Sequence, residues 1–322
     1  MSDNQALPEM LMGEVRARRR EALRPATRRL QNIHWSRYCA FTEECPIPGG
    51  PYSADSVCAF LEYLAQQQLT PNTVKSYLSS IRSHFRRSEL DVTPLYGIAI
   101  NDWLRGFEKT FTRHLPELPV ITIDQLKTLF ALAGRTPEPE FLQALITVAF
   151  FSLLRASNLF PPGEFDLARD LQRSHVEFQP GKAIITLPWT KTRQCKTLTK
   201  ITIVETGTDI CPVTALQRFC AAHPCPPHYP LFAMRGRYYT TREARLILHQ
   251  LHDKANIDKA AAFHAYRRGG ARFYFESGMP LPSIKQQGTW RSDAILLYLR
   301  DSVPPTRELS AALDSARSEG RV

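Results

Sequence analysis

The stretch Phe263-His-Ala-Tyr-Arg-Arg-Gly-Gly270 puts His264 and Arg267 three residues apart. On a helix that spacing places both on one face, where an imidazole and a guanidinium can address a single anionic group. The pattern predicts a helix over Phe263–Ser277, a turn at Gly278-Met-Pro280, and shorter helices on either side of Trp290. Gly269 and Gly270 are not followed by the Lys-Ser/Thr of a phosphate loop, so they read as close-packing positions.

Outward from this stretch lie three more elements. Downstream, Gly288-Thr-Trp-Arg-Ser-Asp293 leads to Tyr298, eight residues after Trp290. Upstream, a segment from about Glu140 to Leu154 is apolar on nearly all sides and should be a buried helix. Arg155 ends it, in Leu153-Leu-Arg-Ala-Ser-Asn158. A guanidinium there is costly unless an anion or hydrogen-bond partner meets it, and a salt bridge to a nearby carboxylate is the structural alternative. Between them a β-hairpin is expected: Ala183–Leu187, a loop Thr190–Lys196, then Leu198–Val204, with Lys191, Arg193 and Lys196 on the tip.

The first half reads as helical. Ser53 can cap a helix through Val57, Phe60, Leu61 and Leu64, and Thr70 with Pro71 opens another. In the second, Val74, Tyr77, Leu78, Ile81 and Phe85 form the apolar face. Lys75, Ser79, Arg82 and Arg86 form a different face, which can follow a DNA backbone or be only the wet side. Thr122-Ile-Asp-Gln125 has the form of a capping box. The expected fold is mainly α with a small antiparallel sheet.

The 322 residues carry a formal charge of +10 and a pI near 9.4. Split at Leu115-Pro116-Glu117-Leu118-Pro119, the first part holds +2 and the second +8. Seven arginines between Arg16 and Arg29 form a basic segment that can grip phosphates or simply be solvated. The expected domains are a basic arm over 1–30, a helical domain over 31–115, and a larger domain over 119–322 with a tail from about 303. No run approaches the ~18 apolar residues of a membrane span, and no apolar leader is expected. Seven cysteines in a chain of this size point to free thiols in a reducing compartment. Cys220-x-x-His223-x-Cys225-x-x-His228 is crowded by prolines and fits no common zinc spacing, so no metal is expected.

Taken together and in order, these elements resemble the tyrosine recombinase (phage integrase) family. The resemblance covers the whole second half, and the helical first half looks like that family's core-binding domain. It implies a catalytic set of Arg155, Lys191, His264, Arg267, Trp290 and Tyr298. In that set Tyr298 attacks a scissile phosphate to give a 3′-phosphotyrosine, and the two arginines hold the non-bridging oxygens. Lys191 protonates the leaving 5′ oxygen, with Lys196 in reserve; His264 contacts the phosphate or takes the tyrosine proton; Trp290 replaces the usual histidine. Lys75, Arg82, Arg86, Arg193 and Lys196 would contact DNA. Asn158 departs from the acidic residue the family often has there. Tyr266 and Tyr274 are rival nucleophiles whose plainer role is packing.

The resemblance further implies two domains closing around duplex DNA, a tetramer on two sites, exchange of a C-terminal segment between neighbours, and no cofactor. Motif wording is similar to recombinases of DIRS-like, Ngaro-like and Crypton mobile elements, which would place the work in the nucleus; a bacterial relative would work in the cytoplasm. The alternatives are a type IB topoisomerase-like nicking-closing enzyme and a catalytically inactive DNA-binding regulator.

Overall fold

Three side chains that can cap helices do so. The Ser53 hydroxyl accepts from the Ser56 N–H at 3.1 Å and Thr70 from the Thr73 N–H at 3.3 Å. Thr122 accepts from Gln125, whose side chain accepts in return from the Thr122 N–H, completing the capping box. Each satisfies a backbone donor that a helix start would otherwise leave unpaired. The computed structural model describes residues 10–15, 18, 23, 25–112, 118–189, 198–258 and 262–299. The chain divides into two units, Met1–Pro116 and Glu117–Val322.

In the first unit, helices α1 (Pro25–Glu44), α2 (Ala54–Gln66), α3 (Pro71–Arg87) and α4 (Ile98–Thr110) enclose one core. That core is built on Tyr38, Phe60, Leu61, Leu64, Val74, Leu78, Ile81 and Phe85. The apolar face read from α3 is therefore the buried one. Helix α1 begins inside the segment read as an arm, so Arg28 and Arg29 are helical; Arg16, Arg19, Arg20 and Arg24 lie outside the described residues.

The second unit is arranged about α6 (Pro139–Phe151), in which every residue from Phe141 to Phe151 except Gln143 is buried. Around it stand α5 (Ile123–Ala133), the one-turn α7 (Ala156–Leu159), α8 (Pro212–Ala222) and α9 (Thr241–Lys254). They are joined by α10 (Phe263–Glu276), α11 (Leu281–Gln287) and the one-turn α12 (Leu296–Leu299). The hairpin strands β2 (Lys182–Leu187) and β3 (Thr199–Val204) pair antiparallel, and β1 (Val176–Gln179) adds a third strand on the β2 side. Ala183, Ile185 and Leu187 alternate inward opposite Ile201 and Ile203, as a half-buried sheet requires. A two-residue ladder, β4 (Ala233–Met234) with β5 (Arg237–Tyr238), completes the strands.

Both glycines of the opening stretch are close-packing positions. A Cβ on Gly269 would stand 1.8 Å from the Ile121 carbonyl oxygen, and one on Gly270 would stand 2.0 Å from that of Phe150. Backbone cannot yield by that much, so only glycine lets α10 lie this close to the segment before α5 at Gly269 and to α6 at Gly270.

One boundary differs from the expectation. Helix α6 ends at Phe151, not Leu154, because Leu153 turns into the left-handed region at φ +55°. Arg155 consequently stands in extended backbone at the start of α7 rather than at the end of the buried helix. The hairpin tip with Lys191, Arg193 and Lys196, and the tail from residue 300, lie outside the described residues. Among the described residues no helix is long and apolar enough to cross a membrane.

Candidate active site

The left-handed turn at Leu153 aims its carbonyl at α10, where it accepts a hydrogen bond from Arg267 Nη1. Arg267 Nη2 donates to the Gly288 carbonyl at 2.6 Å, and the Trp290 ring covers the guanidinium with its centroid 3.8 Å from Cζ. Arg267 is thereby fixed between two chain segments, at Leu153 and at Gly288–Trp290, and is 1% exposed. Arg155, half-buried, donates from Nη1 to the Thr289 hydroxyl at 3.3 Å. Tyr298 packs edge-on against Trp290, ring centroids 5.8 Å apart at 65°. The next arginine, Arg268, donates from Nε and Nη2 to the Pro119 carbonyl at 2.8 and 2.6 Å and lies 5.9 Å from the Tyr298 ring centre.

The electrostatics are unusual for a buried cluster. Burial, and then the nearby positive charge of Arg155, push the Arg267 guanidinium down to about 9, with Tyr298 acting in the opposite sense. Burial likewise lowers Arg155, again opposed by Tyr298. Both remain protonated at pH 7. Among the described residues no ion pair joins Arg155, Arg267 or Arg268 to a carboxylate. Two neighbouring cations without a counter-ion are a cost to the fold and a ready receptor for an external anion. Partial burial and the charges of Arg267, Arg268, Arg155 and Arg245 hold the His264 imidazole below the ordinary histidine range, so it is neutral at pH 7.

The phage integrase family profile matches residues 119–301, more than half of the chain and the whole of this cluster. The chain belongs to the phage integrase family. It is a site-specific tyrosine-type DNA recombinase, acting on DNA. No curated protein matches the sequence. Among solved structures, the recombinase is similar to the Tn1549 transposon integrase in complex with transposon right end DNA. The identity is 16% over 95% of this chain and 96% of that one, with a TM-score of 0.62. It is similar to the XerH site-specific recombinase bound to difH substrate in a pre-cleavage complex, at 12% identity, 89% and 78% coverage and a TM-score of 0.57. A lambda integrase dimer bound to a COC′ core site matches at 15% identity, 86% and 76% coverage and a TM-score of 0.53. At these identities the likeness is one of fold.

Within the recombinase, the structure brings Arg155, His264, Arg267, Trp290 and Tyr298 into one neighbourhood. The rival tyrosines are occupied elsewhere. Tyr266 is fully buried with its hydroxyl 2.7 Å from His252 Nε2, and its burial raises it far above the usual phenol range. Tyr274 donates to the Phe151 carbonyl at 2.8 Å and is pushed up to about 12 by burial. Asn158 donates to the Trp189 carbonyl at 3.3 Å, at the root of the hairpin, and its Oδ1 is buried without a partner among the described residues.

The α3 residues read as DNA contacts are engaged within their own unit. Lys75 pairs with Glu108 at 2.5 Å. Arg82 donates to the Leu95 carbonyl, from Nε at 3.0 Å and also from Nη2, and stacks 4.0 Å over Tyr96, while Arg86 donates to the Tyr96 hydroxyl. Sequence reasoning missed Leu153, Gly288, Thr289 and Arg268 as parts of the site. Gly288 and Thr289 adjoin Trp290 in a quoted motif and Arg268 adjoins Arg267, but adjacency does not reveal a carbonyl or hydroxyl aimed at an arginine.

Proposed function

We propose that the recombinase cuts DNA with Tyr298 and rejoins it from a covalent 3′-phosphotyrosine. The observation carrying this reading is the pair Arg155 and Arg267, close enough that Arg155 lowers the affinity of Arg267 for its proton, with no carboxylate paired to either among the described residues, beside one half-buried tyrosine. A scissile phosphate supplies the missing anion. The Tyr298 oxygen attacks phosphorus, the bond from phosphorus to the 5′ oxygen breaks, and the displaced oxygen takes a proton from Lys191, with Lys196 in reserve. Neutral His264 takes the tyrosine proton or donates a hydrogen bond to the phosphate. The arginines stabilise charge developing on the non-bridging oxygens, and because their positions are set before DNA arrives, little reorganisation opposes the step. A second 5′ hydroxyl reverses the chemistry and completes strand exchange, without nucleotide or metal.

The same reading has Lys75, Arg82, Arg86, Arg193 and Lys196 meeting flanking phosphates, and the chain working as a tetramer on two DNA sites with its tail after residue 303 passing between neighbours. The wording of His264–Gly270 and Gly288–Asp293, with the short step from Trp290 to Tyr298, supports a recombinase of a DIRS-like, Ngaro-like or Crypton element, at work in the nucleus.

The test uses a pool of nicked duplexes of random sequence, in which cleavage next to the nick releases a short fragment and traps the enzyme. The wild-type chain yields an SDS-resistant protein–DNA adduct whose captured DNA defines the site, and Tyr298→Phe yields none. A wild-type chain that traps no sequence, or a Tyr298→Phe chain that traps at the wild-type level, overturns the assignment.

A further inference from the structure

Three consecutive residues hold the arginine pair. Gly288 gives its carbonyl to Arg267, Thr289 gives its hydroxyl to Arg155, and Trp290 lays its ring over the Arg267 guanidinium. The turn is tied to α11 by backbone bonds from Gly288 to Ile284, Thr289 to Gln286 and Trp290 to Lys285, at 2.9, 3.0 and 2.9 Å. Gly288 carries no Cβ for a plain reason: one would stand 1.7 Å from Trp290 Cζ3. Thr289 is less easily explained as filler. Its φ is +57°, a region that a β-branched residue rarely enters and that glycine or asparagine occupies with less strain.

Resting on the phosphotyrosine reading above, we propose that Thr289 is a positioning residue for cleavage. Its hydroxyl holds Arg155 beside Arg267 at the separation one phosphate requires, and its left-handed backbone aims that hydroxyl and the Gly288 carbonyl at the two arginines together.

The choice of a hydroxyl follows from the charge. Arg155 and Arg267 repel, as the lowering of Arg267 by Arg155 records. A carboxylate between them would hold both, but it would also cancel the charge meant for the phosphate and would repel that phosphate. A neutral acceptor fixes Arg155 and leaves its charge intact. Backbone strain at such a point is the kind retained where geometry serves chemistry.

The experiment measures the first-order rate of adduct formation at saturating DNA, on the duplex recovered by the selection above, together with DNA affinity. Thr289→Val keeps the branched shape and lacks the hydroxyl; Thr289→Ser keeps the hydroxyl. The valine chain is expected to cut 10- to 100-fold more slowly with affinity within twofold of wild type, and the serine chain to lie within about threefold of the wild-type rate. On a duplex with a methylphosphonate at the scissile position, where no phosphate charge awaits both arginines, the valine penalty shrinks to less than threefold. A valine chain that cuts at the wild-type rate overturns the proposal, as do valine and serine chains that are equally slow. A wild-type chain that forms no adduct removes the phosphotyrosine reading itself, a result distinct from either.

Discussion

Arg82 and Arg267 have nearly the same contacts. Each donates to backbone carbonyl oxygen and each lies over an aromatic ring, 4.0 Å from Tyr96 in one case and 3.8 Å from Trp290 in the other. Their settings differ. Arg82 is half open to solvent and bonds to one carbonyl, that of Leu95, so it braces α3 against a neighbouring turn. Arg267 is sealed, bridges Leu153 and Gly288, and has a second cation beside it with no carboxylate paired to either among the described residues. Contacts alone therefore do not separate these two arginines; converging like charge in a buried place does.

The largest expected effect breaks the comparison if it fails. Arg267→Lys keeps a positive charge but cannot bridge two carbonyls with a planar fork. The rate of adduct formation at saturating DNA should fall by at least about 100-fold, the usual scale for losing one positioned donor to developing charge. Arg82→Lys, measured the same way, should stay within about twofold of wild type. Equal losses in the two chains would mean that burial and charge convergence carry no catalytic meaning here.

Next in size is a difference in alkaline stability. Burial, and then Arg155, lower Arg267 in the fold from the ordinary guanidinium range to about 9. Between those values the unfolded chain binds the proton and the folded chain releases it, so this group's contribution to stability rises with pH. Raising the pH from 8 to 10.5 should favour the wild-type fold over Arg267→Met by about 2 kcal/mol relative to their difference at pH 8. Urea unfolding of both chains at the two pH values measures it. The same comparison for Arg82→Met should give a smaller change, because solvent screens a half-open guanidinium. A flat difference at Arg267 would show that its charge is not held at a cost.

The contrast also explains what was legible beforehand. The apolar periodicity of α3 and α6, the caps at Ser53, Thr70 and Thr122, and the alternation in β2 and β3 are local patterns, and each became the expected element. The order of Arg155, His264, Arg267, Trp290 and Tyr298 pointed to the family. What escaped was set by tertiary geometry. The early end of α6 depends on a left-handed Leu153, which no leucine announces. Thr289 and the Leu153 and Gly288 carbonyls matter through what they face, and side-chain type says nothing of that. The α3 stripe showed the reverse: its charges were visible, while their answers, Glu108, Leu95 and Tyr96, came from separate turns and helices.

The smallest expected effect asks whether that answered stripe still serves DNA. Lys75 and Glu108 form an ion pair in which both side chains are nearly half exposed. Such a pair adds little to stability, well under about 1 kcal/mol, because water screens it and two long side chains must be held still. To meet a phosphate Lys75 must leave Glu108, and the carboxylate left behind repels the same phosphate. Glu108→Gln removes both obstacles. DNA binding in about 50 mM salt should tighten a fewfold, the gain should fade as salt rises and screening shortens the reach of the charge, and the rate of adduct formation at saturating DNA should not move. Equal affinities for Glu108→Gln and wild type across the salt series would make this face of α3 a solvated surface, and would leave Arg267 and its neighbours as the part of the comparison that touches DNA.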